Sequence, residues 1–309
     1  MEVLVYGAGA LGSLVGGLLA RTHEVTLVGR DPHMRRIRES GLRIDGEIDA
    51  HVRPSALTDG THRSADLAVV TTKAYDTDAA ARALATGEYD AVCSLQNGLT
   101  EERLVAALDP TVLAGTASYG ARFVEPGRVT CTGVGEVVIG ALSGGDDPLA
   151  KRVGRAFDEA GIETTVAADM PRRRYEKLAV NAGINGPSAL ARLSNGATLD
   201  GPGGEAAREA AREVGRVARA DEVALGETAA VDAVERVATD TAANRSSMCE
   251  DVAAGRRTEA DAIYGAVTER ADRLGVSAPT CRTIASLIRA WEVGAGVRPG
   301  GDTQKTAEK

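Results

Sequence analysis

Lys177, Asn181 and Asn185 recur at i, i+4 and i+8 within the segment from Tyr175 to Asn185. On a helix this spacing sets one ammonium and two carboxamides along a single stripe. Such a stripe suits the reduction of a ketone. Hydride arriving at the carbon leaves negative charge on the oxygen, and a lysine can supply both a proton and a positive charge there. Asparagine donors would orient a carboxylate or hydroxyl without a competing charge. The neighbours Leu178, Val180 and Ile184 are apolar and should pack the helix against its own domain. A solvated face would be the ordinary explanation of Lys177. Two uncharged amides beside it fit that explanation poorly, in a chain with five lysines among 36 basic residues. Pro187 lacks an N–H for the carbonyl of Gly183 and predicts a kink or an end to the helix. Asn195 and Gly196 then begin a loop that could fold back over that end.

A second group of polar residues runs from Asn244 to Asp251 and from Arg257 to Asp261. Ser247-x-x-Glu250 matches a capping box, and Thr258-x-x-Asp261 looks like a related N-cap. Glu259, at the first helical position, suits the helix dipole. Residue types alone explain this group as helix caps.

Positioning such groups against a hydride donor requires a dinucleotide-binding element, and the chain opens with one. Gly7-Ala8-Gly9-Ala10-Leu11-Gly12 is a G-x-G-x-x-G that follows a strand-like run and starts a helix. The first glycine permits the turn, the second lets a pyrophosphate approach the backbone, and the third allows close helix–strand contact. The helix N-terminus stabilises the anion. At the end of the second strand an NAD-type site carries an acidic residue, whereas this chain has Gly29-Arg30. Arg30 could pair bidentately with a 2′-phosphate, which favours NADPH. Asp31, one position later, could neutralise Arg30 or serve NADH, so NADH stays open. Lys73 and Asn97 each follow a later strand, where ligands bind outside the carboxyl ends of open α/β sheets.

From Glu2 to about Val166, short apolar runs (VLVYG, EVTLVG, DLAVVTT, AVCSLQ) alternate with helical segments such as Leu11 to Thr22 and Thr77 to Ala85. Continuous apolar runs are expected of strands buried on both faces, and the alternation is the βαβ signature of a parallel sheet. Arg128 to Thr132 and Glu136 to Gly140, separated by glycines, read as a hairpin. Beyond Asp169 every segment reads helical: Arg172 to Ile184, Gly203 to Asp221, Ala230 to Gly255, Thr258 to Leu274 and Ala278 to Val293. The expectation is an α/β protein, with a Rossmann-type doubly wound sheet over residues 1–168 followed by an all-α domain over residues 169–293. Residues 294–309, rich in Gly, Pro and charge, are expected to be a disordered tail.

Composition narrows the function. A net charge of −8 and 3% aromatic residues argue against a nucleic-acid surface, which needs a basic field and stacking platforms. Cys93, Cys131, Cys249 and Cys281 form no C-x-x-C pair, so neither a zinc site nor a disulfide framework is indicated. His23, His33, His51 and His62 all lie in the first half, away from the lysine stripe, which speaks against a metal-dependent dehydrogenase. No run is apolar enough to span a bilayer and none reads as a signal peptide, so a cytoplasmic protein is expected. The helical half offers surfaces that could serve a homodimer, which its own core explains equally well.

Together, G-A-G-A-L-G, T-K-A-Y at 72–75, L-Q-N-G at 95–98, K-L-A-V-N-A-G-I-N at 177–185, S-N-G at 194–196, and N-R-S-S-M-C-E-D with T-E-A-D at 258–261 resemble the ketopantoate reductase family in order and over nearly the whole chain. The resemblance implies NADPH-dependent reduction of 2-dehydropantoate to pantoate, a step toward pantothenate and coenzyme A. It implies Lys177 as general acid, and Asn181, Asn185 and Asn195 as substrate contacts. Ser247 would hold the 2-oxo acid, and Glu259 would bond its hydroxyl or the cofactor end. Asn97 would lie at the nicotinamide, and Gly120 would offer its backbone to the cofactor. Gly186-Pro187-Ser188 departs from the family's more usual run with threonine, and Tyr119-Gly120-Ala121 is also a variant. Two alternatives compete: a paralogous reductase of another 2-oxo acid, and a non-catalytic dinucleotide-sensing protein.

Overall fold

The computed structural model describes residues 1–298, which fall into two compact units, Met1–Arg174 and a second from Tyr175 on. The first unit runs β1 (Glu2–Tyr6), α1 (Ala10–Leu19), β2 (Glu24–Val28), α2 (His33–Ser40), β3 (Leu42–Gly46), β4 (Ala50–Val52), β5 (Ser55–Leu57) and β6 (Ala65–Val70). It continues through a 3₁₀ turn (Ala74–Asp76), α3 (Thr77–Leu84), β7 (Tyr89–Ser94), α4 (Glu101–Val105), β8 (Thr111–Ala117) and β9 (Gly120–Glu125). β10 (Arg128–Gly133), β11 (Val137–Ala141), α5 (Pro148–Glu159) and β12 (Thr164–Val166) complete it.

Eight strands form one sheet in the order β12-β11-β8-β7-β6-β1-β2-β5. Its pairs are parallel except β8–β11. The chain leaves β1 toward β2 and β5, then returns to place β6 on the other side of β1. That reversal is the switch point of a doubly wound sheet, beside which ligands bind. A second, four-stranded sheet has the order β4-β3-β10-β9, and α1 packs against strands of both sheets. A helix covered on both sides must be apolar all round. Accordingly every residue of α1 from Gly12 to Leu19 is buried.

The expected hairpin of Arg128–Thr132 with Glu136–Gly140 does not form. β10 pairs with β9 and β3 in the small sheet, while β11 pairs with β8 and β12 in the large one. The burial patterns give the reason: β10 mostly alternates, as a strand with one covered face does, whereas Val137 to Gly140 are all buried. Between the strands, Ser118 takes up the connection: its Oγ accepts the Glu136 N–H at 2.9 Å. The hairpin that does form joins β9 to β10 through Pro126-Gly127, with Gly127 at φ 81°.

α6 (Met170–Ala191) carries the chain into the second unit, followed by α7 (Asn195–Thr198), α8 (Gly201–Ala220), α9 (Glu227–Asp240) and α10 (Ser247–Ala253). A π-helical turn (Asp261–Gly265), α11 (Ala266–Leu274) and α12 (Pro279–Gly294) follow. Two expectations are corrected. The stretch Ala230 to Gly255 is two helices, α9 and α10, because Ser246 caps a new helix at its own hydroxyl. And α6, read in sequence as Arg172 to Ile184, runs from Met170 to Ala191, so of the two outcomes expected at Pro187 the helix does not end there. α12 starts on a buried carboxylate: Glu213 of α8 accepts the N–H groups of Thr280 and Cys281, both at 2.7 Å. A negative charge at that end is stabilised by the helix dipole. Of the expected tail, Gly294 closes α12, and the backbone N–H of Arg298 reaches the Glu292 carbonyl at 3.2 Å. Residues 299–309 lie outside the described residues. No helix among the described residues is long and apolar enough to cross a membrane.

Candidate functional site

Gly7 to Gly12 leave the carboxyl end of β1 at the switch point. Two of the three glycines answer to packing. A Cβ on Gly7 would run into the backbone of Thr71 and Thr72, and one on Gly12 into the Gly7 carbonyl and the Thr71 hydroxyl. Gly9 differs. A Cβ there would meet no atom nearer than 3.9 Å, its φ of −84° is ordinary, and it is exposed. Nothing among the described residues excludes a side chain at Gly9, and its open backbone is what the close approach of a pyrophosphate would need. The first amides of α1 lie beyond any intrahelical acceptor and face that approach. Ala8 is buried while Ala10 and Leu11 are half-buried.

Arg30 leaves the end of β2 with its side chain 89% exposed and, among the described residues, one long contact, 3.5 Å to Asp76. Asp31 does not neutralise it. Its carboxylate accepts the Arg35 N–H at 2.9 Å and faces Arg38 at 3.4 Å, so it serves the start of α2. Beyond β6 and β7 the loops carrying Lys73 and Asn97 are tied together by Gln96. Its Nε2 donates to the Thr72 carbonyl and hydroxyl (3.1 and 3.0 Å) and to the Thr77 hydroxyl (3.0 Å). Lys73 and Asn97 are half-buried. Gly120 opens β9, where a Cβ would press on the Thr132 hydroxyl and Gly133. Packing explains that glycine. α2 is fixed by His33, whose Nδ1 accepts the Gly127 N–H at 2.9 Å while Nε2 lies 2.9 Å from the Ser13 hydroxyl. Burial pushes this imidazole down to about 4, so it is neutral at ordinary pH.

In the second unit α6 carries Lys177 and Asn181, both half-buried, and Asn185, which is buried. The Nδ2 of Asn181 is buried without a hydrogen-bond partner among the described residues. So is the Oδ1 of Asn195, whose Nδ2 donates to the Thr241 hydroxyl at 2.9 Å. Buried polar groups almost always have partners, so these two amide atoms are places where a ligand or water could bond. Ser247 stands exposed in the first turn of α10. The capping box expected on Ser247 does not form: Ser246 is the N-cap, its hydroxyl accepting the Cys249 N–H at 3.1 Å. That leaves the Ser247 hydroxyl clear of the cap.

Glu259 is 6% exposed, between the cap residue Thr258 and the π-helical turn. The Thr258 hydroxyl accepts the Ala260 N–H at 3.2 Å, as the expected cap requires. Glu292 of α12, fully buried, holds this segment by accepting the Thr258 N–H at 2.8 Å and its hydroxyl at 2.7 Å. Beyond it, Asp261 faces Arg289 and Arg298. Burial pushes the Asp261 carboxyl up, and those guanidiniums more than offset this, holding it below the usual carboxylate range. Sequence reasoning missed Gln96, Ser246, Tyr264 and Glu292.

An open sheet with a ligand-shaped glycine at its switch point, followed by a helical unit with a lysine–asparagine stripe, defines a nicotinamide-dependent oxidoreductase. The chain belongs to the ketopantoate reductase family. The model of ketopantoate reductase PanE/ApbA matches residues 3–144, and that of the PanE/ApbA C-terminal part matches residues 169–292. The chain is 45% identical to a 2-dehydropantoate 2-reductase of Halobacterium salinarum over 94% of its own length and 98% of that protein's. With the 2-dehydropantoate 2-reductase of Archaeoglobus fulgidus the identity is 35%, over 95% and 98%. The crystal structure of a PanE/ApbA family ketopantoate reductase from Ralstonia eutropha matches with a TM-score of 0.88 at 31% identity, covering 96% of this chain and all of that one.

Proposed function

We propose that this chain reduces 2-dehydropantoate to pantoate in the cytoplasm, with NADPH as the preferred donor and Lys177 as the general acid. The observation that carries the reading is the pair of orphaned amide atoms, on Asn181 and Asn195, in the unit that also holds Lys177. A 2-oxo acid with a terminal hydroxyl offers acceptors for the Asn181 amide and a donor for the Asn195 oxygen. Gly7, Ala8, Gly9, Ala10, Leu11 and Gly12 receive the pyrophosphate, Arg30 the 2′-phosphate, and Lys73, Asn97 and the Gly120 main chain the rest of the cofactor. The bound nicotinamide supplies the hydride.

The residues of the chain do the remainder. Lys177 holds its ammonium at the keto oxygen, balances the charge that develops there and gives up one proton, so ketone plus hydride plus proton becomes an alcohol. The resulting amine regains its proton from solvent. Asn181, Asn185, Asn195 and Ser247 fix the acid so that the oxygen meets Lys177, and the one hydrogen bond the substrate hydroxyl donates goes to Asn195 or to Glu259, which otherwise bonds the cofactor end. The Asn97 carboxamide lies where the nicotinamide and the substrate meet.

An initial-rate assay with ketopantoate, run in parallel with NADPH and NADH, tests the reading. Lys177→Ala should lower kcat by roughly 10²- to 10⁴-fold, as for loss of a general acid, while NADPH still binds. A variant with unaltered kcat would remove Lys177 from the chemistry. Turnover of simpler 2-oxo acids in preference to ketopantoate would reassign the substrate.

A further inference from the structure

The stripe Lys177, Asn181, Asn185 presumes a regular helix, yet α6 is not regular where Asn185 leaves it. The Gly186 N–H would ordinarily donate to the Ala182 carbonyl. This N–H donates to the Tyr264 hydroxyl at 2.7 Å, and that hydroxyl donates on to the Ala182 carbonyl at 2.8 Å. A side-chain oxygen is thus inserted into one rung of the ladder, which is a recognised cause of helix bending. The next rung is missing altogether, because Pro187 has no N–H for Gly183. Asn185 sits between these two interruptions.

The segment that departs from the family pattern accommodates the insertion. A Cβ on Gly186 would overlap the Tyr264 hydroxyl and a methyl of Ile284. Ser188 donates back to the Asn185 carbonyl at 3.1 Å, and its oxygen lies 2.6 Å from that of Ser246, the cap of α10. Tyr264 itself belongs to the π-helical turn that follows Glu259, and its ring is fully buried. Burial drives its ionisation well above the ordinary tyrosine value, so the group stays a neutral hydroxyl that donates and accepts at once. One hydroxyl therefore joins the asparagine-bearing helix to the glutamate-bearing turn.

We infer that Tyr264 is a positioning residue for substrate binding: its inserted hydroxyl sets the direction in which Asn185 leaves α6 and locks that direction to the Glu259 segment. The inference rests on the reading of Asn185 as a substrate contact. A side-chain hydroxyl bridging one rung of the ladder, beside a proline that removes the donor of the next, is a device for aiming a side chain.

The test uses the full chain and the variants Tyr264→Phe, Asn185→Ala and both together, with kcat, KM for ketopantoate, NADPH Kd and Tm measured for each. Loss of a buried hydrogen-bonded hydroxyl should raise KM on the order of 10-fold, with NADPH Kd unchanged. In the Asn185→Ala background Tyr264→Phe should raise KM no further, since the residue it aims is gone. A lowered Tm with unchanged KM, or KM effects that simply multiply, overturns the inference. An unchanged KM in Asn185→Ala removes the reading of Asn185 and the inference with it, whereas an effect there with Tyr264→Phe silent overturns the inference alone. Should Tyr264→Phe not fold, Pro187→Ala replaces it. Restoring a donor for Gly183 should maintain or raise Tm while raising KM at least about threefold, and an unchanged KM overturns the inference.

Discussion

Removing the Arg30 guanidinium should convert a strong preference for NADPH into near indifference. The side chain is 89% exposed, and its one ion-pair partner, Asp76 at 3.5 Å, is 40% exposed. A contact of that length between solvated groups contributes little, roughly 0–1 kcal/mol, so the guanidinium is nearly uncommitted. A bidentate bond to a phosphate is charge-assisted and contributes about 1.5–3 kcal/mol, with the lower end expected at an exposed site. Some 1.5–2 kcal/mol corresponds to about 10- to 30-fold in affinity. The assay is kcat/KM for NADPH and for NADH at saturating ketopantoate in the wild type, Arg30→Ala and Arg30→Lys. Arg30→Ala should lose about 10- to 30-fold with NADPH and less than about twofold with NADH, and Arg30→Lys should fall between. Raising the salt concentration should shrink the wild-type preference, because the pair is open to screening. Asp31→Asn should leave the preference where it is, since that carboxylate is engaged by Arg35 and Arg38. Equal losses with both cofactors in Arg30→Ala would refute the reasoning, as would a several-fold gain for NADPH in Asp31→Asn.

Three further outcomes follow from buried groups. His33 has its pKa lowered by burial to about 4 from 6.5. As pH falls from about 6.5 to about 4, the unfolded chain takes up a proton that the folded one refuses, and about 3 kcal/mol of stability is lost across that window. Urea unfolding at several pH values should show a shallower acid slope in His33→Gln than in the wild type, and identical slopes would contradict it. Glu101 and Arg174 form a buried pair at 2.6 Å, so Glu101→Gln should cost about 3–5 kcal/mol by stranding the guanidinium; a Tm within a degree or two of wild type would rule that out. Glu292→Ala removes the acceptor of two Thr258 bonds and the partner of Arg298 at 2.7 Å. It should cost about 3 kcal/mol in urea unfolding and raise KM for ketopantoate through Glu259; a stability loss without a KM change would show that Glu292 acts on the fold alone.

The first half of the fold was legible because β1, β2, β6 and β7 are continuous apolar runs spaced by helices, and the glycine turn marks where the winding starts. The small sheet was not. β4 is three residues long, too short for any period to show, as is β5 at the edge of the large sheet. β9 is half-buried or exposed throughout and carries no apolar face. The mistaken hairpin had a readable clue, since RVTCTG alternates and VVIGA does not, and strands of different period seldom share a sheet face. In the second half, alanine and charge continued across residues 241–246 without glycine or proline, so the break before α10 showed only as a serine one position from the one expected.

The candidate site divides along the same line. Residues that would touch ligand are concentrated in motifs, because a ligand is small and the elements around it present short segments: Gly7 to Gly12 on one turn, Lys177 to Asn185 on one helix. Residues that aim those groups are not. Tyr264 acts 78 residues away on Gly186, Ser246 acts 58 residues away on Ser188, and Glu292 acts 34 residues away on Thr258. Each is a common residue type with an ordinary local explanation, and only its partner reveals its work. The departure at Gly186-Pro187-Ser188 makes the point concrete. As sequence it was only a departure from the family's run, whereas in three dimensions each of the three residues has a mechanical part. Gly186 admits a hydroxyl, Pro187 withholds a donor, and Ser188 closes the gap toward α10. On the reading that Lys177, the asparagines, Ser247 and Glu259 contact the substrate, residues 186–188 bear on how those contacts are held and not on what they do.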